Sequence, residues 1–325
     1  MPLTGGAVLA DGDSHPDGGT GRVGVQPLTF TTPDRHQPVS PRIGPFAKRH
    51  FLSTLWRHTA RPGQVPLVLA GDEGEVVLVE EARAIGLLGH EDLVDYRSPL
   101  GDTVDLLADR FSRLKPGLRF RFDSLPAGSA RVFTAALDQA GVINRSVPHT
   151  ATALLELPRS FDDYLMSIGK KERHETRRKR RRFEAALGPP RIVTFEDAGP
   201  VLEDFFRLHR RSRGSKGSFM TERMAGMFAD LLDGAGWRLD ALYGGDPRLV
   251  AAVIGYSDGS GYYLYNSAYD PDLAHASPGV VLLSELIRMA IRGGLEVFDF
   301  LKGEETYKLR MGARRRPLFV VEGSR

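Results

Sequence analysis

One order of turns, helices and strands occurs twice along this chain and limits the folds that it can adopt. In the first copy, Ser98-Pro99 leads into a helical pattern that is followed by the strand 118–123. In the second copy, Ser277-Pro278-Gly279 leads into the helical pattern 280–291 and then into the strand 295–300. The serine precedes an aspartate of the strand by 25 residues in the first copy and by 22 in the second. This similarity predicts an internal duplication, and the alternative is two unrelated units that share common turn residues.

Strands that alternate with single helices predict an α/β fold with mixed sheets. A chain of 325 residues is long enough for two domains, each with its own core. We expect a disordered leader at residues 1–40, a first domain at 41–158, a basic connecting helix at 159–190 and a second domain at 191–325. The leader is rich in Gly, Pro, Asp and Thr and has no hydrophobic period, which is typical of disorder.

The most basic part of the chain is the segment 170–182, which reads KKERHETRRKRRR. It holds nine Lys or Arg among thirteen residues, although the net charge of the whole chain is only +3. Ser160 followed by Asp163 predicts a helix start, and Glu175 four residues before Lys179 indicates that the helix continues through the charges. Such a helix either binds a polyanion or is a solvated interdomain helix. The residues expected to contact a tRNA backbone, if one binds, are Arg177, Arg178, Arg181 and Arg182.

Composition excludes several kinds of chemistry. The chain has no cysteine, which rules out disulfides and thiol catalysis. Its nine histidines are scattered, without an HExxH motif or a pair at i, i+4, so we predict that no metal takes part. The first residues contain no apolar run of the length that a signal peptide or a membrane span needs, so we expect a cytoplasmic protein.

Three segments of the second half are candidates for binding ligands. Ser277-Pro278-Gly279-Val280 opens a helix whose free amides and positive dipole end suit a pyrophosphate, and ordinary capping is the alternative. Tyr265 and Asn266 belong to an aromatic-rich strand that either lines a cleft or is simply half-buried. Arg213 and Lys216 lie in a basic loop that either closes over an acceptor or is an exposed connection between helices.

The segment after strand 295–300 combines groups that can move protons. Asp299, Glu304, Tyr307 and Lys308 all lie within ten residues. Asp299 could accept a proton from an amine nucleophile, Tyr307 could donate one to a leaving group, and Lys308 could neutralise developing charge. Glu304 is a candidate for substrate binding. The alternative is a strand that exits into a loop with solvated charges.

Several segments together resemble the GNAT-like acyltransferases of the cellulose-biosynthesis type, the CelD/BcsL-like proteins. The resemblance covers residues 45–320, is most specific over 150–313, and implies two tandem GNAT-like domains with mostly antiparallel sheets joined by the basic helix. The first domain would be a degenerate copy and the second the catalytic one. The matching segments are Phe161-Asp162-Asp163-Tyr164-Leu165, Ser277-Pro278-Gly279, Phe298-Asp299-Phe300-Leu301-Lys302-Gly303, Tyr307-Lys308 and Met311-Gly312-Ala313.

The resemblance implies an N-acyltransferase that moves an acyl group from acyl-CoA directly to a small-molecule or peptide amine. Such proteins are similar to Fem-type transferases, which use aminoacyl-tRNA and have an aromatic-Lys pair like Tyr307-Lys308. The GNAT pyrophosphate signature (Gln or Arg, two residues, Gly, one residue, Gly or Ala) is absent at residues 275–279, so aminoacyl-tRNA is the alternative donor. Catalysis would need positioning and oxyanion stabilisation by backbone amides. A non-catalytic nucleic-acid-binding protein and an accessory protein of polysaccharide export are the other classes left open.

Overall fold

A computed structural model describes residues 25–197 and 199–325. The first 24 residues of the expected leader lie outside this part. The described chain divides into two compact units: one runs to Thr150 and includes Pro317–Arg325, and the other is Ala151–Arg316. We call them the first unit and the second unit. The domain limits expected from the sequence stay predictions, because contacts alone do not show whether a segment folds by itself.

The first unit combines three helices with short, mostly antiparallel strands. Its helices are Arg49–Thr59 (α1), Val104–Ser112 (α2) and Ala127–Gln139 (α3). Its strands are Val65–Ala70 (β1), Gly74–Glu81 (β2), Ala84–Leu87 (β3), Leu100–Gly101 (β4), Arg119–Leu125 (β5) and the beginning of Asn144–Glu156 (β6). β1, β2 and β3 pair antiparallel, and β3 pairs parallel with β5. Phe111, Phe122 and Phe133 stack in its core, between α2, α3 and β5.

The second unit is an antiparallel sheet with one parallel strand pair and helices on both faces. Its helices are Phe161–Ser167 (α4), Lys170–Leu187 (α5), Gly199–Arg210 (α6), Ser215–Phe219 (α7), Glu222–Leu232 (α8), Pro278–Arg292 (α9) and Thr306–Arg310 (α10), with a 3₁₀ helix at Pro271–Ala276. Its strands are Arg191–Phe195 (β7), Trp237–Tyr243 (β8), Leu249–Ser257 (β9), Gly261–Tyr269 (β10), Val297–Lys302 (β11), the end of β6 and the beginning of Arg314–Ser324 (β12).

Strand pairing in the second unit confirms the predicted mixed, mostly antiparallel α/β fold. β7, β8, β9 and β10 pair antiparallel in that order. β10 then pairs parallel with β11, and β11 pairs antiparallel with β6. A parallel pair needs a crossover connection, which α9 supplies here and α2 supplies between β3 and β5 of the first unit. Both predicted copies therefore form a parallel strand pair joined by a helix.

The basic segment is helical, but it does not continue from the helix that starts at Ser160. The Ser160 side chain accepts a hydrogen bond from the Asp163 amide at 3.1 Å, which confirms the predicted start. The chain then breaks between α4 and α5, because Ile168 adopts extended backbone and lies buried in the core. The expectation of one uninterrupted helix was therefore wrong. α5 buries Phe183 and packs on α9, where Arg180 and Glu285 form an ion pair.

Candidate functional site

The parallel strands β10 and β11 separate halfway along their length. They pair from Gly261 with Val297 to Tyr263 with Asp299, and no pairing continues beyond that point among the described residues. In the same region the register of β10 against β9 shifts between Leu264 and Asn266, which is a β-bulge. A bulge leaves a residue out of the strand ladder and bends the strand. The carboxyl-terminal parts of these two strands are therefore not paired with each other, and we call the gap between them the slot.

The bulge also decides which side chains share a face of β10. Leu264 belongs to the apolar cluster that includes α9 residues. Tyr265 lies on the other face, with its ring 5.6 Å from that of Phe228 in α8. Regular alternation would return Asn266 to the α9 face, yet Asn266 lies beside His209 of α6. The extra residue therefore places Tyr265 and Asn266, both predicted to bind substrate, on the same face.

The predicted pyrophosphate site lies where the 3₁₀ helix meets α9. Ser277 joins them with left-handed backbone (φ 59°), and its side chain makes no capping hydrogen bond to α9. Pro278 occupies the first turn, and Gly279 is buried beside it. No side chain caps the first turn of this 15-residue helix, in which the Val280 amide donates to the Ser277 carbonyl at 3.2 Å.

The basic helix α5 lies beside this helix N-terminus. The Arg182 guanidinium donates to the carbonyl of His275 at 3.4 Å, two residues before Ser277. Arg177, Arg178 and Arg181 are exposed on α5, and Arg178 pairs with Glu175 at 2.6 Å. The structure thus brings Arg182 together with the predicted residues Ser277 to Val280.

The loop between β11 and α10 is built on Asp299 and Lys308. The buried Asp299 carboxylate accepts the amide of Leu301 at 2.8 Å and holds that residue in left-handed backbone (φ 59°). The Lys308 ammonium donates to the carbonyls of Leu301 and Gly303, each at 3.4 Å, and to that of Lys302. It also pairs with the Glu305 carboxylate at 3.0 Å. Asp299 and Lys308, two of the three predicted catalytic residues, thus stabilise the conformation of this loop.

Tyr307 and Glu304 occupy different surroundings in the same segment. Burial, together with the nearby charge of Glu305, raises the pKa of Tyr307 well above its ordinary value. Its hydroxyl is therefore protonated at neutral pH. Its ring lies 6.3 Å from that of Phe300. Glu304 is exposed and pairs with Arg315 at 3.2 Å.

A polar cluster that the sequence only partly indicated lies on the face of Tyr265. His209 is buried, with 1% of its surface exposed, between the rings of Phe205 and Phe219. Neither its Nδ1 nor the Asn266 Oδ1 beside it has a well-aligned hydrogen bond among the described residues. Lys216 is half-buried in α7. The polar cluster is His209, Lys216 and Asn266, whereas the predicted Arg213 lies at an exposed turn before α7.

Burial changes the protonation of the polar cluster. It lowers the pKa of His209 to about 4, and the charge of Lys216 acts in the same direction. It also lowers the pKa of Lys216 to about 8, against the opposing charge of Glu305. His209 is therefore neutral at pH 7 and Lys216 is charged. The charge of Lys216 thus acts on His209, and the charge of Glu305 acts on Lys216.

His209 was not predicted from the sequence, and its signal there is weak. It follows Phe205 by four residues, on the apolar face of an amphipathic helix. A histidine in that position is equally typical of a simple core contact. No group of His, Asp and Glu that could hold a metal ion occurs within residues 25–197 and 199–325. No helix in this described range is long and apolar enough to span a membrane.

Comparisons with known proteins agree with this geometry. The sequence profile of the family described as acetyltransferase (GNAT) domain matches residues 170–309, which run from α5 to α10. No curated protein matches the chain. The profile match and the strand topology support a GNAT acyltransferase fold for this part of the chain.

Solved structures with a similar fold extend the likeness beyond the matched residues. One is the C-terminal domain (DUF2156) of a protein assigned as lysylphosphatidylglycerol synthetase from Agrobacterium fabrum. It is 12% identical to this chain, with a TM-score of 0.55, and the match covers 84% of this chain and 86% of that one. Another is L-PGS from Bacillus licheniformis, at 12% identity and a TM-score of 0.55, covering 83% and 84%. A third is FemX, at 11% identity and a TM-score of 0.56, covering 79% and 88%. At these identities the likeness shows the fold alone.

Proposed function

We propose that the second unit is an N-acyltransferase that moves an acyl group from acyl-CoA to an amine by direct attack. The observation that carries the proposal is the separation of β10 from β11 after Tyr263 and Asp299, next to a β-bulge in β10. The profile match over residues 170–309 supports the same class of reaction. A cytoplasmic location and the closer relationship to the cellulose-biosynthesis type are further parts of this proposal.

The donor's phosphates would bind at the start of α9. Backbone amides and the helix dipole favour an anion there. Arg182, which reaches the carbonyl of His275, adds a positive charge at the same end of the helix. The acyl chain would then extend along β10 into the slot, with Ser277 to Val280 holding the pyrophosphate.

The reaction needs no covalent enzyme intermediate. The amine nitrogen bonds to the thioester carbonyl carbon, and backbone amides would stabilise the resulting oxyanion. The carbon–sulfur bond then breaks, Tyr307 gives its proton to the thiolate, and the proton lost by the nitrogen restores Tyr307. The proposed roles of Asp299 as a base and of Lys308 as a neutralising charge stay predictions. Their contacts support a further role in building the loop that carries Tyr307.

Donor binding tests the first half of this proposal. We expect CoA and acetyl-CoA to raise the melting temperature and to bind in calorimetry. Arg182→Gln should weaken that binding about ten-fold, the usual effect of losing one charge-assisted contact. Arg292→Gln is the matched control, because it removes the same charge from the opposite end of α9. Absence of CoA binding by the unaltered protein would reject acyl-CoA as the donor.

Replacing Tyr307 tests the chemical step. Tyr307→Phe keeps the ring near Phe300 and removes only the proton donor. We expect kcat to fall by about 10²-fold with little change in KM, because general acids contribute on that scale. Unchanged turnover would show that another group protonates the leaving thiolate.

An aminoacyl-tRNA donor is the second candidate, and the exposed arginines of α5 favour it. Arg177, Arg178 and Arg181 continue the positive charge of Arg182 away from the N-terminus of α9. An RNA backbone could follow such a row. This candidate predicts salt-sensitive binding of charged tRNA that is lost when all four arginines become Gln. Equal binding by that variant would reject it.

A further inference from the structure

The strongest unexplained feature of the second unit is the ammonium group of Lys216, whose charge is opposed by a carboxylate that already pairs with another lysine. Lys216 is half-buried, and it has no hydrogen bond or ion pair among the described residues. The carboxylate whose charge it feels, Glu305, is already paired with Lys308 at 3.0 Å. A partly desolvated cation is costly unless an anion accompanies it. The site therefore suits an anionic group that is brought by a ligand.

The neighbours of Lys216 are hydrogen-bond acceptors that suit an amine. Asn266 contributes Oδ1 and the neutral His209 contributes Nδ1, and neither atom has an aligned partner in the described chain. A buried polar atom without a partner costs about 1–3 kcal/mol. A side-chain rotation at Asn266 would turn its oxygen toward a ligand N–H in the slot. The polar cluster thus offers a cation and amine-facing acceptors side by side.

The polar cluster lies on the face of β10 opposite the donor site. Leu264 packs in the cluster shared with α9, whereas Tyr265 contacts Phe228 of α8 and Asn266 lies beside His209 of α6. A donor held at α9 and an acceptor held at the polar cluster would therefore approach the bulge from opposite faces. This separates Lys216 from the phosphates of the donor.

Resting on the proposed function, we infer that the amine acceptor carries a carboxylate close to its amine, as an amino acid does, and that Lys216 binds this carboxylate. Asn266 and His209 are positioning residues that orient the amine toward the slot. Lys216 is then the residue that makes the enzyme prefer amino-acid-like acceptors over simple amines.

Binding of matched amine pairs tests the inference without any acyl donor. The pairs are L-phenylalanine with phenethylamine, L-lysine with cadaverine and β-alanine with propylamine, which differ mainly by the carboxylate. The readout is the ¹³C-methyl NMR signal of Met220, the buried residue that follows α7. Met166 is 68% exposed on α4 and serves as an internal reference. We expect the carboxylate-bearing member of at least one pair to shift the Met220 signal and its simple amine to bind ~10- to 100-fold more weakly.

Two variants separate the charge of Lys216 from its shape. Lys216→Met keeps the length of the side chain and should abolish the preference, whereas Lys216→Arg keeps the charge and should retain it. Lys171→Met on the exposed surface of α5 is the control and should behave like the unaltered protein. Near-native methyl spectra of all three variants show that they are folded.

Three outcomes would overturn the inference. They are equal binding within every pair, no binding of any carboxylate-bearing amine, and a preference that survives in Lys216→Met. Binding of inorganic pyrophosphate that depends on Lys216 would assign this residue to the donor instead. Because no acyl donor is present, a carboxylate preference without CoA binding would leave the inference standing and reject only the acyl-CoA donor.

Discussion

Titration of His209 should make the second unit less stable in mild acid. Burial holds the pKa of this imidazole at about 4, whereas the unfolded value is 6.5. The unfolded chain therefore takes up the proton more readily than the folded one. The stability contributed by the neutral ring is complete above pH 6.5 and is lost as the pH falls toward 4. At 1.36 kcal/mol per pKa unit, the loss between pH 7.5 and pH 5 is about 2 kcal/mol.

The assay isolates the second unit by its tryptophan. The chain has two tryptophans, and Trp237 belongs to the second unit, where its ring lies 5.4 Å from that of Tyr265. In a Trp56→Phe background, urea unfolding followed by fluorescence reports on the surroundings of Trp237. His209→Gln removes the titrating group. Between pH 7.5 and pH 5, the free energy of unfolding of this variant should therefore fall by about 2 kcal/mol less than that of the parent.

An exposed histidine supplies the control. His174 lies exposed on α5, and His174→Gln makes the same substitution outside the polar cluster. Parallel pH profiles for the parent and His209→Gln would refute the reasoning, because they would show that the imidazole is solvated or already paired in the folded protein.

Two further predictions concern the loop after β11 and the charge of the polar cluster. Gly303 (φ 110°) and Gly294 (φ 72°) both have left-handed backbone, so an alanine at either position should lower the free energy of unfolding in urea by about 1–2 kcal/mol. Only a Cβ at Gly303 would collide with the Glu305 carboxylate, so only Gly303→Ala should also lower kcat. Equal kcat values for the two variants would contradict the role of this loop. Binding of N-acetylglycine, which has a carboxylate but no amine, should weaken as the pH rises through 8, where Lys216 loses its proton. The groups that face Lys216 are neutral His209 and the Glu305–Lys308 pair. NMR titration should give a Kd for N-acetylglycine about 30-fold higher at pH 9.5 than at pH 6.5. An equally strong rise of Kd in Lys216→Arg would contradict the assignment of this pH dependence to Lys216.

Local signals in the sequence predicted three elements of the second unit. The predicted serine cap at Ser160 forms, because a capping box needs only contacts within one helical turn. The start of α9 at Pro278 follows from proline's preference for the first turn. The predicted strand 295–300 largely coincides with β11. In each case the residues that decide the structure are neighbours in the sequence.

Features that depend on distant residues could not be predicted in the same way. The break between α4 and α5 arises because Ile168 lies in the core with extended backbone. The Lys308 ammonium donates to three backbone carbonyls of the loop after β11. In this loop Leu301 and Gly303 have left-handed backbone. His209 is distinguished from an ordinary core histidine only by its neighbours Asn266 and Lys216. None of these relations is a spacing in the sequence.

A single extra residue in β10 links the donor and acceptor proposals. Without the bulge, Asn266 would face α9. With it, Tyr265 and Asn266 both lie on the face of His209 and α8. In the two proposals, the bulge therefore places a polar side chain on the acceptor face, near the point where β10 and β11 separate. An anionic ligand at the start of α9 and a zwitterionic ligand beside Lys216 would meet at this point.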